Sequence, residues 1–168
     1  MDLIPHYAIS KRKILNCNSP NTLNVILSID KDLLQTCRFE NTVQAVSLYK
    51  KSTGIDLKLY DRNSAMGYIY KGFKRGGLTA EFIPLVLAMA SDKIDGIKGI
   101  PKVGPSTAIK LINMHNLPPR IMPDTNLGSL EKYRDLITTN LKLTSFDEQI
   151  KRVPQMELNK IDERLNGL

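Results

Sequence analysis

Aliphatic positions in this chain fall into short clusters separated by turn-forming residues, and each cluster has the length and spacing of one element. Leu23-Asn24-Val25-Ile26-Leu27-Ser28-Ile29 is a β-branched and aliphatic run that ends at Asp30, the length of a buried strand. Lys31 to Cys37 reads as a short helix directly behind it. Val43 to Tyr49 and Leu57 to Tyr60 are two further strand candidates, and the Lys50-Lys51-Ser52-Thr53-Gly54 link between them has the residues of a hairpin turn. From Thr79, a suitable N-cap, Phe82, Leu85, Val86 and Met89 recur at helical spacing up to about Ser91, with Pro84 in the first turns. A stretch punctuated by glycine and proline, Asp95 to Pro105, follows, and Pro105 suits the first turn of a helix running from Ser106 to about Met114. Leu117 to Asn126 is a proline-rich connection, Leu130 to Leu141 is an amphipathic helix, and the tail is polar and charged. No internal repeat is evident. Strands followed by helices predict an α/β chain of one domain, or one domain with an appendage.

Length and composition change this picture little. The 168 residues are 42% apolar and 24% charged, enough to bury one sizeable core. No apolar run approaches the roughly 20 residues that cross a bilayer, and Met1-Asp2-Leu3-Ile4-Pro5 has no signal-peptide pattern, so a cytoplasmic protein without a membrane partner is expected. Cys17 and Cys37 stand apart, without metal-type spacing, and read as reduced thiols. Charge is more informative. Lys and Arg outnumber Asp and Glu by 24 to 17, a formal +7, which suits a polyanionic partner. The excess is concentrated between Lys71 and Lys110, where Lys71, Lys74, Arg75, Lys93, Lys98, Lys102 and Lys110 face only Glu81, Asp92 and Asp95. A solvated basic surface is the alternative reading.

Three constellations have chemical potential. In Ser28-Ile29-Asp30-Lys31-Asp32-Leu33-Leu34-Gln35, two carboxylates sit two residues apart at a strand end, where α/β sheets collect ligands; they suit a hard cation such as Mg²⁺, or simply cap a helix. Asp92 and Asp95 lie three apart in a helix-terminating turn, fit for metal ligation or for an Asx turn. In Gly99-Ile100-Pro101-Lys102-Val103-Gly104-Pro105-Ser106-Thr107-Ala108, small residues allow backbone amides to approach a phosphate ahead of a helix N-terminus. The alternative is a helix start with no ligand. His6 and His115 have no nearby acid or nucleophile in sequence, and Tyr68, Tyr70 and Phe73 read as a half-buried helix face or as stacking groups beside Lys74 and Arg75.

Taken in order, these segments resemble the C-terminal half of the 5′-to-3′ exonuclease and flap endonuclease family, particularly the phage enzymes and the 5′ nuclease domain of bacterial DNA polymerase I. Ser28 to Gln35 is similar to the family's acidic strand-end motif, and Asp92 to Ala108 to its second acidic pair running into a helix-hairpin-helix. Tyr133 to Phe146 resembles the segment after the hairpin in phage members, so the likeness spans about Leu23 to Phe146. The resemblance implies an α/β fold in three parts: an N-terminal extension (1–22), a partial PIN-like nuclease domain with a mainly parallel sheet (23–78), and a helical DNA-binding domain (79–168) carrying the hairpin. It implies Mg²⁺ or Mn²⁺ at Asp30, Asp32, Asp92 and Asp95, with a metal-activated water attacking a phosphodiester. It further implies K⁺ and phosphate contacts at Gly99, Pro101, Val103 and Gly104, and duplex DNA with a 5′ flap, nick or RNA primer held by Lys98, Lys102, Gly104, Ser106, Thr107, Lys110, Lys74 and Arg75. Host cytoplasm would be the location of a phage-encoded member.

The departures are as informative. The family's first acidic strand, helical arch and Glu-Ala-Asp-Asp-like motif all lie upstream of the position of Asp30, where Met1 to Thr22 holds a single acid, Asp2. Half the metal site is therefore expected either from a separate chain or to have been lost by truncation, and this chain alone is expected to be a poor nuclease or none. Gly96 stands where the family has Asn, Lys102 where it has Gly, and Ser106 where Lys is frequent. Lys102 is expected to strain a backbone position that glycine accepts. A non-catalytic DNA-binding module and a protein- or RNA-interaction subunit are the alternatives.

Overall fold

The computed structural model of the chain describes residues 6–9, 23–50, 54–70, 77–91 and 95–166. Three strands, β1 (Asn24–Leu27), β2 (Thr42–Lys50) and β3 (Gly54–Tyr60), form one sheet in that order. β1 runs parallel to β2, placing Val25 beside Val43 and Leu27 beside Ala45. β2 and β3 are antiparallel, with Lys50 opposite Gly54 at the hairpin end. The described sheet is thus mixed rather than mainly parallel. Its links explain why: a short link such as that between β2 and β3 closes only an antiparallel hairpin, whereas β1 reaches β2 through a crossover that contains a 3₁₀-helix, Asp32–Arg38. Ile26, Gln44 and Val46 point to the inner face of the sheet and are buried, as are Leu33 to Cys37 of the crossover.

The helical part is organised around α2 (Ile83–Ala90), which follows α1 (Met66–Ile69) and a 3₁₀ turn at Ala80–Phe82. All eight residues of α2 are buried. A helix that is apolar on every side belongs inside a core. Pro84 lies in its first turn, where a missing N–H costs no hydrogen bond. Around α2 pack α3 (Pro105–Met114), α4 (Arg134–Thr144) and the crossover 3₁₀-helix, followed in sequence by α5 (Phe146–Ile150) and α6 (Gln155–Asn166). The predicted helix at Leu130–Leu141 is therefore a 3₁₀ turn at Gly128–Tyr133 leading into α4. The Cys37 thiol is buried in this core, and burial pushes its pKa up to about 12, so it is an inert packing group. Cys17 lies outside the described residues.

Buried polar groups fasten the sheet side to the helical side. Gln35 donates from Nε2 to Asp32 O (2.9 Å) and Thr144 O (3.0 Å), and its Oε1 accepts from Phe146 N (2.9 Å). Thr144 Oγ1 donates in turn to Pro84 O (3.0 Å). Asp147 of α5 receives Arg38 Nη1 (2.8 Å) and Arg120 Nη2 (2.6 Å), and Oδ1 meets Nε2 of the fully buried His6 at 3.1 Å. His6 is packed edge-on against Phe146 and tilted against Phe39, and Nδ1 lies 3.3 Å from Thr36 Oγ1. The helical residues 6–9 are therefore fixed to the core, and the acid that His6 lacked in its sequence neighbourhood comes from α5.

This cluster gives the fold a defined response to acid. Burial lowers the pKa of His6, against the opposing pull of Asp147, so the imidazole is neutral at pH 7. Burial would raise Asp147, but hydrogen bonds from His6 and Arg38 outweigh it and hold the carboxyl far below the usual carboxylate range. The unfolded chain binds a proton at His6 near the ordinary histidine value of 6.5, before the folded chain does, so stability falls as the pH drops below about 6.5. A second loss follows below the ordinary carboxylate value of 3.8, where Asp147 is protonated only in the unfolded state. Melting temperature measured against pH is expected to decline in these two stages, with the upper one missing in His6→Gln. Asp147→Ala, which strands Arg38 and His6, is expected to cost about 3 kcal/mol at pH 7.

Candidate functional site

At the carboxyl end of β1 the chain leaves the sheet in a tightly held bend. Ser28 N still reaches Ala45 O (3.1 Å), Ser28 Oγ accepts from Asp30 N (3.0 Å), and Asp30 Oδ1 accepts from Asp32 N (2.9 Å). Asp30 thus closes an Asx turn that starts the crossover 3₁₀-helix, and this engages one of its two carboxylate oxygens. Side chains from neighbouring elements hold the carbonyls of the bend: Gln44 Nε2 donates to Ser28 O (3.0 Å) and Asp30 O (2.7 Å), and Tyr68 Oη donates to Ile29 O (2.9 Å). The cap reading and the ligand reading of this motif are therefore compatible.

The donors at the bend are of the type a hard divalent cation takes. Asp30 is half-buried, Asp32 Oδ1 is withdrawn from solvent, and Gln44 Oε1 is buried without a hydrogen-bond partner among the described residues. The group is not complete, since no three His, Cys, Asp or Glu side chains gather into a metal-holding cluster among the described residues. Asp92 lies outside them. Asp95 is exposed in the turn that follows α2. A cleft of about 460 Å³, bordered by Arg38, Arg120, Lys142, Asp147 and Glu148, lies at the Arg38 end of the 3₁₀-helix, away from its Asp32 end.

The loop that leads from residue 95 to α3 is clamped to α2. Ser91 at the end of α2 and Gly96 both have positive φ, 68° and 69°, which reverses the chain. Ile100 N then donates to Met89 O (2.9 Å) and Gly99 N to Ser91 Oγ (3.0 Å). A Cβ at Gly99 would collide with the backbone of Met89 and Ser91, so this glycine is required by close approach. Asn140 of α4, itself buried, donates from Nδ2 to Ala88 O and Lys98 O, both at 2.8 Å. Gly104 is the extended N-cap residue of α3, and its carbonyl accepts from Ala108 N (2.9 Å). Around this start Lys98, Pro101, Lys102, Thr107 and Lys110 are exposed, and Val103, Gly104 and Ser106 are half-buried. Lys74 and Arg75 lie outside the described residues. Lys102 has φ +63°, the strained conformation expected where a lysine replaces glycine.

Sequence reading did not single out Gln44, Tyr68 or Asn140 as the residues holding the bend and the hairpin. The one available signal was a lone amide inside an apolar run, as in Val43-Gln44-Ala45-Val46.

With this geometry in hand, comparison with known proteins places the chain. No family model matches it. In sequence it is 29% identical over 107 residues to a 5′-3′ exonuclease of Aquifex aeolicus (strain VF5), a match that takes in 56% of this chain and 37% of that protein. In structure, it matches T5 5′-exonuclease with divalent metal ions (zinc) bound at a TM-score of 0.67 and 16% identity, covering 99% of this chain and 58% of that one. A mutant of T5 5′-exonuclease matches at 0.66 and 16%, covering 99% and 64%. The chain therefore has the α/β fold of these exonuclease structures, and in sequence and fold it resembles the 5′-3′ exonuclease and flap endonuclease family. It spans about two thirds or less of the length of each.

Two variants probe how the site is held. Gln44→Met keeps the volume but removes the donor to two carbonyls; it is expected to cost about 1–3 kcal/mol and to speed amide exchange at Asp32, measured by melting and hydrogen exchange. Lys102→Gly is expected to gain about 1 kcal/mol of stability by releasing the left-handed strain, whereas Lys102→Ala, equally uncharged, is expected to gain none in the same melting assay.

Proposed function

We propose that this chain binds duplex DNA through the hairpin between α2 and α3 and contributes carboxylates to a metal-assisted 5′ phosphodiester hydrolysis. The observation that carries the reading is the hairpin itself: three exposed lysines, Lys98, Lys102 and Lys110, surround the N-terminus of a ten-residue helix whose entry is pinned by Asn140 and Gly99. Backbone amides and lysines in this arrangement grip phosphates without reading bases. Ser106 and Thr107 add hydroxyl donors, and the carbonyls from Gly99 to Gly104 are suited to a K⁺ ion in the same loop.

The Asp30–Asp32 bend supports the catalytic part. A divalent ion such as Mg²⁺ or Mn²⁺ would supply an activated water and charge neutralisation. Asp30 and Asp32 would hold it, Asp92 and Asp95 would serve a second ion, and Gln44 and Tyr68 would keep the bend in place. Similarity to a 5′-3′ exonuclease and to T5 5′-exonuclease with divalent metals bound supports this assignment. The substrate class is DNA with a 5′ flap, nick or RNA primer. The active unit is proposed to include a second chain that carries the remaining acids.

The test is a 5′-labelled flap duplex with Mg²⁺ and K⁺, followed for both binding and cleavage. Binding by the chain alone is expected to weaken steeply with salt, and Lys110→Ala is expected to reduce the log–log salt slope by about 1. Little cleavage is expected until the second chain is added, and Asp32→Asn should then abolish it while leaving binding intact. Salt-insensitive association would count against the DNA reading. Efficient cleavage by this chain alone would count against the divided site.

A further inference from the structure

Gln44 uses its amide nitrogen and leaves its amide oxygen idle, and the idle atom lies at the acidic bend. The residue sits in β2 opposite Ile26 of β1 and is completely buried. From there its side chain leans along β1 to the bend, where Nε2 donates to Ser28 O (3.0 Å) and Asp30 O (2.7 Å). Those two bonds fix which end of the amide is which, because a flipped amide would turn Oε1 onto two carbonyl oxygens. Oε1 is buried too and has no hydrogen-bond partner among the described residues. The oxygen and nitrogen of an amide are about 2.3 Å apart, so Oε1 lies within about 5 Å of the Asp30 carbonyl oxygen.

An idle buried oxygen is a cost that folded proteins seldom carry, since the atom has given up water and gained nothing in return. Gln35 shows the ordinary solution: it donates to two carbonyls and accepts from Phe146 N (2.9 Å). Around Gln44 the bend offers oxygens instead. Ser28 O, Ile29 O and Asp30 O are acceptors already served by Gln44 and Tyr68, and Asp30 Oδ1 is served by Asp32 N (2.9 Å). The other oxygens there belong to the carboxylates of Asp30 and Asp32, and Asp32 Oδ1 is withdrawn from solvent. A water would answer the amide alone. A hard cation answers the amide and the carboxylates together, because it takes both kinds of oxygen in one shell, and the uncharged amide adds no repulsion between the acids.

We propose that Gln44 Oε1 is a further ligand of the divalent ion at the bend, beside Asp30 and Asp32, so that one side chain braces the bend through Nε2 and binds the ion through Oε1. The proposal rests on the metal-site reading above and adds to it a ligand from β2, outside both acidic pairs. It also couples the ion to the backbone: a cation on Oε1 polarises the amide and strengthens both Nε2 bonds, so the bend tightens when the ion is bound.

The test uses Tb³⁺ as the probe ion on the full chain, with Mg²⁺ as competitor. Tyr68 donates to the carbonyl next to Asp30, so its ring should sensitise emission from an ion at the bend, and Tyr68→Phe should remove that emission. Emission lifetimes in light and heavy water count the waters on the ion. Gln44→Met is expected to weaken Tb³⁺ binding about tenfold or more and to add one bound water, whereas loss of a brace alone would change affinity and leave the water count as it was. A second measurement needs no variant: in the wild-type chain, saturating Mg²⁺ should move the side-chain carbonyl carbon resonance of Gln44 further than that of Gln35, whose oxygen is already taken. An unchanged water count in Gln44→Met, or a Gln44 resonance that moves no further than that of Gln35, would overturn the proposal. Should Asp32→Asn abolish Tb³⁺ binding alongside either of those results, the metal-site reading stands and the proposal alone falls. A wild-type chain without Tyr68-sensitised emission that Mg²⁺ displaces would sink the metal-site reading and the proposal with it.

Discussion

The structure depends on one buried amide. Gln35 is enclosed in the core, and its side chain uses both donors and its acceptor at once, bonding Asp32 O, Thr144 O and Phe146 N. The first of these is the crossover that carries the acidic bend; the other two are the junction of α4 and α5. Because a buried amide that loses one partner suffers the desolvation cost in full, the relative position of sheet and helices is specified far more sharply than apolar packing alone would achieve. The Asp147 cluster repeats the connection a turn later through Arg38, and it draws in residues 6–9 and Arg120. The acidic bend and the lysine-bearing loop before α3 are consequently parts of one frame: the bend hangs from the N-terminal end of the 3₁₀-helix, and the loop hangs from α2 and from Asn140 on α4.

Much of this was legible in the chain. The β1 run, the β2–β3 hairpin, α2 and α3 each have a local signal that the tertiary structure reinforces, because apolar spacing, Pro105 and the turn residues all agree. Strand direction was less legible. Whether a sheet is parallel or mixed is decided by how the chain links its strands, and a run such as Val43 to Tyr49 carries no label for its neighbour. The polar ties were not legible, since Gln35 meets Phe146 and His6 meets Asp147 across more than a hundred residues, a separation that no window of sequence reports. The strain at Lys102, a single residue's backbone, was legible only through the resemblance, whose family has glycine at that place.

The candidate site was legible in its parts and not in its assembly. Asp30 and Asp32 were identifiable because a strand end followed by acids is a local pattern. What holds them is Gln44 from the next strand and Tyr68 from α1, both chosen by the fold. The exposed leucines show the same limit from another side. Val25, Leu27, Leu57 and Leu59 read in sequence as ordinary strand residues, and nothing in an alternating pattern says which face is covered.

Burial decides how the two surfaces differ in kind. The hairpin presents charge on a rigid backbone, so its affinity should be set by ionic strength and be indifferent to sequence. The sheet face presents aliphatic area, whose removal from water is worth about 25 cal/mol per Å² and is insensitive to salt. Charge and aliphatic area thus lie on different parts of one frame and answer to different conditions: salt weakens contacts made by the first and leaves those made by the second unchanged.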